Sequence, residues 1–353
     1  MAQASPYHPL SGESYIRLLE IGPNGAYGPH DEINHITCSL YEVDIRRCTY
    51  EHSIFTALSY AWGSEDDPKQ ITLNGVVIAL RRNLYDFLVH ALRQGWVRQI
   101  WIDALCINQI DEAEKSKQVA MMGEIYSRAS RVLIWLGSLD NVGSDSLIEL
   151  TTRNKDIATR YGTLSAKDLI SKMTPWELKR YLISRESFDS WNPDAEYRHG
   201  LVRILQNPYG RRKWIIQEVL LSGPNAFIIT HDESIPITQV AREIYLFLTW
   251  FHNAAVYPEF MKYLVDSASD TSLDSEEQIY ARERMSLVRA LGYTEKRGKP
   301  SLNGNLLSFW ELVVDVKMTY KTRPLMQLVD KFRNHLCSDP RDNIYAFLGL
   351  STL

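Results

Sequence analysis

Residues 98–137, which read RQIWIDALCINQIDEAEKSKQVAMMGEIYSRASRVLIWLG, contain the signals of a strand, a helix and a second strand. A short apolar run ends at Asp103, and a second apolar run is closed by Gly137. Between them, Asp111 stands three residues before Glu114, which is the spacing of a capping box at a helix start. Apolar residues at helical spacing follow. A strand, a crossover helix and a strand of this length predict a βαβ unit with parallel strands.

Strand patterns also lie upstream of this unit. Residues 14–21 and 36–45 contain alternating apolar and polar side chains, and they predict two antiparallel strands in a peripheral piece. Residues 71–80 hold the dipeptide Asn74-Gly75 between β-branched residues, which is the strongest short signal for a β-hairpin. Asn83 is then expected to cap an amphipathic helix.

Residues 55–136 thus follow the order strand, hairpin, helix, strand, helix, strand, which predicts an α/β sheet. In such sheets, ligands bind beyond the carboxyl ends of the strands, at the point where the strand order reverses. If the strand at residues 55–60 is central, one rim of the sheet carries the candidate binding residues Trp62, Gly63, Asp103, Asn108 and Gln109. Asp103, Asn108 and Gln109 are equally compatible with a structural part in the turn that follows the strand.

Residues 207–222 (NPYGRRKWIIQEVLLS) predict a further helix, whose first turn holds Arg211, Arg212 and Lys213. Cations at this end of a helix oppose the positive end of its dipole. One interpretation is that acidic residues elsewhere partner them, and the residues alone favour this interpretation. The other interpretation is an anion site, because helix N-termini bind phosphates.

Glu218 stands in an otherwise apolar part of this helix. It lies four residues after Trp214, so the two side chains share a helix face. A glutamate beside a tryptophan on a partly buried face is either salt-bridged or placed for function, and the residues alone favour the structural alternative. Cys106 lies on the candidate rim, but a lone cysteine next to a strand end is more often a packing residue than a nucleophile.

The composition excludes several classes of function. The chain has 353 residues, a net charge of −4 and a pI near 6.2, which argues against broad electrostatic binding to nucleic acid or to anionic membranes. No apolar run approaches the ~20 residues of a membrane span, and the N-terminus lacks the pattern of a signal peptide.

The nine histidines are scattered without paired ligand spacing, so no metal site is predicted. The four cysteines include no CxxC pair, which fits a reducing intracellular compartment.

The pattern along the chain predicts one composite domain in four parts. Residues 1–54 supply N-terminal β elements, residues 55–140 and 200–235 form the α/β core, residues 141–199 form a helical insertion, and residues 236–353 form a mainly helical C-terminal part packed on the core. The insertion is inferred because so long a connection between two core elements is unusual.

Four ordered motifs resemble the fungal heterokaryon-incompatibility (HET) domain family. They are FTALSYAWG from residue 55, IWIDALCINQIDEAEKSKQVAMMGEIYSRASRVLIWLG from residue 100, RRKWIIQEVLLS from residue 211 and DPRDNIYAFLGL from residue 339. The N-terminal residues YHPLSGESYIRLLEI and ITCSL also resemble the start of that family's domain, so the resemblance spans Tyr7 to Leu350. HET-domain proteins are cytoplasmic effectors of fungal nonself recognition, and their activation leads to growth arrest or cell death. The resemblance therefore implies a cytoplasmic protein that self-associates on activation and responds to an upstream receptor or a fused regulatory domain.

The resemblance also implies a chemistry. The HET domain is regarded as a remote relative of Toll/interleukin-receptor (TIR) domains, which have a flavodoxin-like parallel sheet. Some TIR domains cleave NAD at the nicotinamide–ribose bond with a glutamate in a Trp-Cys-x-x-Glu-Leu helix pattern after the third strand. Residues 214–219 are similar, so Glu218 takes the catalytic role by resemblance, although Ile215 replaces the cysteine. The implied nucleotide-binding residues are Ser59, Tyr60, Trp62, Gly63, Asp103, Asn108, Gln109, Arg211, Arg212 and Trp214.

This chemistry requires no cofactor, and NAD or a related nucleotide is the expected substrate. Nicotinamide leaves as a neutral molecule, so no general acid is needed, and one carboxylate near the ribose can stabilise the oxocarbenium-like transition state. Two alternatives stay open. The first is a non-enzymatic death-signalling module that works through TIR-like assembly, in which the same motifs form core and interface. The second is a domain that binds a nucleotide without turning it over.

Overall fold

The computed structural model divides the chain into two compact units. The first comprises Met1–Asn141, Arg212–Ile237 and Thr322–Leu353, and the second comprises Val142–Arg211 and Thr238–Lys321. The structure describes residues 5–22, 33, 35–48, 55–96, 99–137, 207–222, 225–229, 234–240, 294–296, 299–301, 323–337 and 339–352. All residues of the helical insertion, 141–199, and most residues of the C-terminal helices expected before residue 323 lie outside this set. The domain boundaries drawn from the sequence stay a prediction.

A nine-stranded sheet of mixed direction lies at the centre of the first unit. Its strands are β1 (Tyr15–Ile21), β2 (Thr37–Asp44), β3 (Thr56–Tyr60), β4 (Lys69–Leu73), β5 (Val76–Leu80), β6 (Ile100–Trp101), β7 (Arg131–Trp135), β8 (Ala226–Ile229) and β9 (Ser234–Pro236). They lie in the order β5-β4-β2-β1-β6-β3-β7-β8-β9. The strands β6, β3, β7 and β8 are parallel to their neighbours in this run, and helices connect them, so the predicted α/β class is confirmed.

Across the sheet, the four parallel strands lie in the order β6, β3, β7, β8. Numbered by their position in the sequence, this is second, first, third, fourth. The predicted βαβ unit is therefore present, but its strands β6 and β7 are not neighbours, because β3 lies between them and pairs with both. The direction of strand addition reverses at β3. In open α/β sheets, the crevice beyond the carboxyl ends of the strands at such a point is the usual place for a ligand. Here these ends are Tyr60 and Trp135.

The helices of the first unit are short. Those whose bounds lie within the described residues are α1 (Arg82–Arg93), α2 (Asp103–Cys106), α3 (Glu112–Ala120), α4 (Met122–Arg128), α5 (Trp214–Leu221), α6 (Leu325–Lys331) and α7 (Asp342–Leu348). The predicted start of α3 is confirmed, because the Asp111 carboxylate accepts hydrogen bonds from the backbone N–H groups of Ala113 and Glu114, both at 3.0 Å. The single helix expected after Asp111 is interrupted at Met121, which ends α3 and precedes α4.

Two other local expectations have different outcomes. The Asn74-Gly75 hairpin is confirmed, since both residues have a positive φ, 49° and 79°, as a type I′ turn requires. The expected cap at Asn83 is wrong, because α1 already begins at Arg82 and the Asn83 amide instead donates to the Ala61 carbonyl at 2.6 Å. Asn83 thus holds the chain where it leaves β3.

The two N-terminal strands are antiparallel, as expected, with Tyr15 opposite Asp44. They are not a separate peripheral piece, because Leu19 of β1 pairs with Ile100 of β6 and so joins them to the central sheet. Apolar residues of β1, β6 and β7 are fully buried, including Leu18, Trp101 and Ile134. Among the residues that the structure describes, none lies in a helix long and apolar enough to cross a membrane.

The second unit contributes few described elements. A 3-10 turn over Pro208–Arg211 belongs to it, as does the strand pair β10 (Thr294–Lys296) and β11 (Lys299–Ser301). The helix expected from residue 207 therefore starts later, at Trp214 of the first unit. A two-stranded parallel pair, β12 (Arg323–Pro324) and β13 (Ser351–Thr352), brackets α6 and α7 in the first unit.

Candidate functional site

Helix α5 places Glu218 in the interior of the first unit, with 2% of its surface exposed. The helix packs against β3 and α4, because its residues Ile215 and Val219 are apolar and fully buried. The hydroxyl group of Ser59, a fully buried residue of β3, donates a hydrogen bond to Glu218 Oε2 at 2.5 Å. The carboxyl group is therefore bonded to a strand that is 159 residues away in sequence.

Burial is the main influence on the ionisation of Glu218. It disfavours the charged form and raises the pKa of Glu218 to about 7, while the positive charge of Arg212 and the hydrogen bond from Ser59 oppose the rise. The nearby carboxyl group of Asp103 adds to it. A carboxyl group with a pKa near neutral can exchange a proton at physiological pH, and its ionised form can stabilise a neighbouring positive charge.

Arg212 is the cation of the site. Its guanidinium group donates a hydrogen bond to the backbone carbonyl of Tyr60, at the carboxyl end of β3, and its side chain is partly exposed. Burial disfavours the charge on Arg212, but the attraction of Glu218 and Asp103 outweighs this effect and raises the pKa of Arg212. One guanidinium group thus faces two carboxyl groups.

Asp103 brings the second carboxyl group to the same end of the sheet. It is the first residue of α2 rather than the last residue of a strand, and its Oδ1 accepts a hydrogen bond from the Ala104 backbone at 2.7 Å. Its Oδ2 accepts one from the indole Nε1 of Trp62 at 2.8 Å, and the phenol of Tyr60 is a further partner. Burial raises the pKa of Asp103, against the effect of Arg212 and of these hydrogen bonds.

These contacts define one group of side chains at the carboxyl end of β3, here named the Glu218 cluster: Ser59, Tyr60, Trp62, Asp103, Arg212 and Glu218. It contains two carboxyl groups with raised pKa values and one arginine, and both features are common at functional sites. All six residues were among the site residues expected from the sequence. Among the described residues, no group of three or more His, Cys, Asp or Glu side chains could hold a metal ion.

The rim of the cluster is already occupied on one side. The guanidinium group of Arg81 lies over the Trp62 ring, 5.2 Å from its centroid, and also donates to the Gly63 carbonyl at 2.8 Å. Gly63 has a φ of 78°, which a residue with a side chain adopts only with strain. Arg81 therefore covers one face of the Trp62 ring.

Asn108 and Gln109 make the contacts of turn residues. The side-chain oxygen of Asn108 accepts a hydrogen bond from the backbone N–H of Ile110 at 3.3 Å. The backbone N–H of Asn108 donates to the Glu114 carboxylate at 2.8 Å. The Gln109 amide donates to the Asp103 carbonyl at 2.9 Å. Both residues hold the loop that follows α2, and only Gln109 contacts a member of the cluster, through the backbone carbonyl of Asp103.

The three consecutive cations of the third motif, RRKWIIQEVLLS, have different environments. Arg211 ends the 3-10 turn of the second unit and is exposed, and Arg212 joins the Glu218 cluster. Lys213 is buried. They precede α5 instead of forming its first turn, and Lys213 is the N-cap residue, so the positive end of the helix dipole still opposes the charge of Lys213. Trp214 hydrogen-bonds to Asp342 of α7, so its indole N–H is directed to that helix.

Tyr126 is the residue of the site that the sequence did not single out. Its buried phenol donates to the Leu58 carbonyl of β3 at 2.9 Å and also lies within hydrogen-bonding reach of Glu218. The signal was present, because Tyr126 follows Ile125 on the apolar face of a helix, and a buried tyrosine hydroxyl requires a polar partner.

The comparisons with known proteins agree with the motifs. Residues 55–218 match the family model described as Heterokaryon incompatibility protein (HET). The chain is also similar to Heterokaryon incompatibility protein 6, OR allele, from Neurospora crassa, with 26% identity over 244 residues. The similarity covers 61% of this chain and 33% of that relative, so the chain spans about a third of the relative's length. No solved structure matches the chain.

Proposed function

We propose that this chain is a member of the heterokaryon incompatibility (HET) family, an effector of fungal nonself recognition that cleaves NAD at the nicotinamide–ribose bond. The match of residues 55–218 and the similarity to the Neurospora crassa relative support the family. The observation that carries the proposal is the Glu218 cluster. A buried carboxyl group with a pKa of about 7 and a partly exposed arginine meet at the carboxyl end of β3, next to the reversal point of the sheet.

The order of elements supports the position of this site. Helix α5 follows the third parallel strand, β7, and precedes the fourth, β8, and the strand order second, first, third, fourth is that of flavodoxin-like sheets. This is where a TIR-like interpretation requires the glutamate helix. Ile215, which stands where that pattern has a cysteine, is fully buried against the core, so the replacement preserves the packing of the helix.

The reaction assigns a distinct part to each charged group. When the glycosidic bond breaks, its electron pair moves to the cationic nicotinamide ring, which leaves neutral, and the ribose carbon becomes oxocarbenium-like. Ionised Glu218 stabilises that positive charge. Water then bonds to the ribose carbon and releases one proton, so NAD and water yield nicotinamide, ADP-ribose and a proton. We assign the negative pyrophosphate to Arg212, because it is the one cation of the Glu218 cluster and its side chain is partly exposed.

Nicotinamide release from NAD by the purified chain tests the proposal, measured by chromatography over a range of protein concentrations because self-association is the expected trigger. Glu218→Gln should lower the rate by about 100-fold or more, since it removes the charge and keeps the shape. Glu124→Gln is the matched control, because Glu124 pairs with Arg128 on the partly exposed side of α4. A rate that survives Glu218→Gln contradicts the assigned mechanism.

A non-enzymatic death-signalling module is the second candidate, and the burial of Glu218 favours it. The Ser59 hydroxyl is hydrogen-bonded to the Glu218 carboxyl group, and only 2% of the surface of Glu218 is exposed. A substrate can therefore contact Glu218 only after the cluster opens. Expression in fungal cells separates the candidates. Growth arrest that is lost in Glu218→Gln and kept in Glu124→Gln supports cleavage. Growth arrest in both variants, with no nicotinamide release, supports the module.

A further inference from the structure

Lys213 follows Arg212, a member of the Glu218 cluster, in the sequence, and only 1% of its surface is exposed. A buried charge is costly unless polar partners satisfy it. Its Nζ donates a hydrogen bond to the side-chain oxygen of Asn343 in α7, and the Asn343 amide in turn donates to the Pro340 carbonyl at 2.8 Å. The amide of Asn343 is thus held in an orientation that presents its oxygen to Lys213.

The segment that supplies Asn343 contacts α5 along its length. We name residues 323–337 and 339–352 the C-terminal clamp. The Leu336 carbonyl accepts from the Lys213 backbone at 3.0 Å, and Leu336 also forms a parallel β-bridge with Arg212. Further along, Asp342 bonds to Trp214.

Gln217 adds a contact one helical turn after Lys213. With its amide oriented to satisfy both neighbours, the nitrogen donates to the Ala346 carbonyl of the clamp at 3.0 Å and the oxygen accepts from the Gly123 backbone at 2.9 Å. Lys213 and Gln217 share one face of α5 because they are four residues apart. Glu218 lies about 100° further round the helix, so one helix carries the clamp contacts and the cluster on separate faces.

From these contacts we infer that Lys213 and Asn343 are positioning residues: their contact anchors the backbone at Arg212, so that the Arg212 guanidinium stays on the Tyr60 carbonyl and within electrostatic reach of Glu218 and Asp103. The family match ends at Glu218, so it includes Lys213 but leaves out Asn343 and the rest of the clamp. The inference rests on the proposed function only in that the positioned groups are those assigned to NAD cleavage.

The ionisation of Glu218 reports the position of Arg212, because Arg212 is the cation that lowers the pKa of Glu218. The experiment uses the full chain with ¹³C-labelled glutamate carboxyl groups, titrated by NMR, with the Glu218 signal assigned by its loss in Glu218→Gln. In Asn343→Ala, which changes no charge, Arg212 is released and the pKa of Glu218 should rise by about 1. Lys213→Met should raise it too, and the double variant should add nothing further.

Two variants distinguish positioning from general damage. Asn343→Asp keeps an oxygen acceptor for Lys213, so the pKa of Glu218 should return to its wild-type value of about 7. Asp330→Asn is the matched control in the same segment, because its ion pair with Arg333 near the end of α6 is exposed, and it should leave the pKa of Glu218 unchanged. If Asn343→Ala does not fold, Asn343→Ser is titrated in its place, with the same expected rise.

An unchanged pKa of Glu218 in the folded Asn343 variant overturns the inference, whether or not the wild-type chain releases nicotinamide. A raised pKa, restored by Asn343→Asp, supports it. If that pattern is found in a chain that never releases nicotinamide, the positioning stands and the proposed function fails. If the wild-type chain releases nicotinamide, Asn343→Ala should also move the pH profile of the rate to higher pH by the same amount.

Discussion

Burial and Arg212 act on Glu218 in opposite directions, and burial prevails, so that the pKa of Glu218 lies at about 7 instead of its ordinary 4.5. The same residue type in an exposed helix would be ionised at every physiological pH. Arg212 and the hydrogen bond from Ser59 favour the ionised form and so limit the rise. The single phenol hydrogen of Tyr126, which lies near Glu218, goes to the Leu58 carbonyl.

The raised pKa of Glu218 predicts how stability depends on pH. Between pH 4.5 and about 7, the folded protein holds a proton that the unfolded chain has released, so the free energy of unfolding should fall as the pH rises through this window. The full effect is about 3 kcal/mol, present below pH 4.5 and lost above about pH 7. Glu218→Gln cannot ionise and should be more stable than the wild type at high pH, with the difference vanishing at low pH.

Urea unfolding of both proteins across this pH range measures the difference, with Glu124→Gln as the control for loss of an exposed carboxylate. A stability difference that is the same at every pH would show that Glu218 ionises in the fold as it does in the unfolded chain.

At the scale of elements, an ion pair between β1 and α3 fixes the loop that carries the rim. Arg17 of β1, with 3% of its side chain exposed, binds Glu114 through two hydrogen bonds of 2.6 and 2.9 Å and also donates to the Cys106 carbonyl at 3.2 Å. Glu114 in turn accepts from the Asn108 backbone. The loop between α2 and α3, and with it Asp103, is therefore tied to the sheet.

Arg17→Met should lower the free energy of unfolding by about 3–5 kcal/mol, because Glu114 would be left largely buried without its partner. Arg46→Met is the control, since the Arg46 side chain is exposed in its pair with Asp44, and it should change stability by about 1 kcal/mol or less. Denaturant unfolding of both variants checks this. Equal effects would mean that the Arg17 pair is solvated like a surface pair.

Local patterns predicted many elements because their causes are local. Asp111 caps α3 through the backbone of its own first turn, and Asn74-Gly75 forms its hairpin through its own dihedral angles. Asn83 shows where such reasoning fails. A cap at that position was plausible locally, but its amide bonds to Ala61 and to Trp135 at the ends of two strands, and these contacts exist only after the sheet has formed.

At the scale of the whole molecule, the first unit is built from three separate stretches of chain, and the clamp is the last of them. Its residues Leu328, Phe332 and Phe347 are buried, and Phe332 stacks on Phe347 with ring centroids 5.8 Å apart. Helix α7 packs on both α5 and α6. The stretch outside the family match is therefore part of the same core as the matched residues.

A chain that ends at residue 321 should not unfold cooperatively. Each of the three buried clamp side chains contributes about 2–5 kcal/mol, and their sum approaches the roughly 5–15 kcal/mol that stabilises a whole domain. Near-UV circular dichroism and urea unfolding test this expectation. Phe347→Leu is the control, because it keeps the clamp and should cost only about 1 kcal/mol with a sigmoidal transition. A truncated chain with the wild-type spectrum would contradict the role of the clamp.

Periodicity and capping were sufficient to predict the α/β class, because each strand and helix depends on residues that are close in sequence. The resemblance carried by the motifs named all six members of the Glu218 cluster but not Tyr126. Neither the patterns nor the resemblance revealed that Glu218 bonds to Ser59, that Arg212 alone of the three cations reaches the cluster, or that the clamp anchors the same helix. The reason is the distance along the chain: Glu218 and Ser59 are 159 residues apart, Arg212 and Tyr60 are 152 apart, and Lys213 and Asn343 are 130 apart. Which of these groups meet, and hence their pKa values, depends on how the sheet orders its strands.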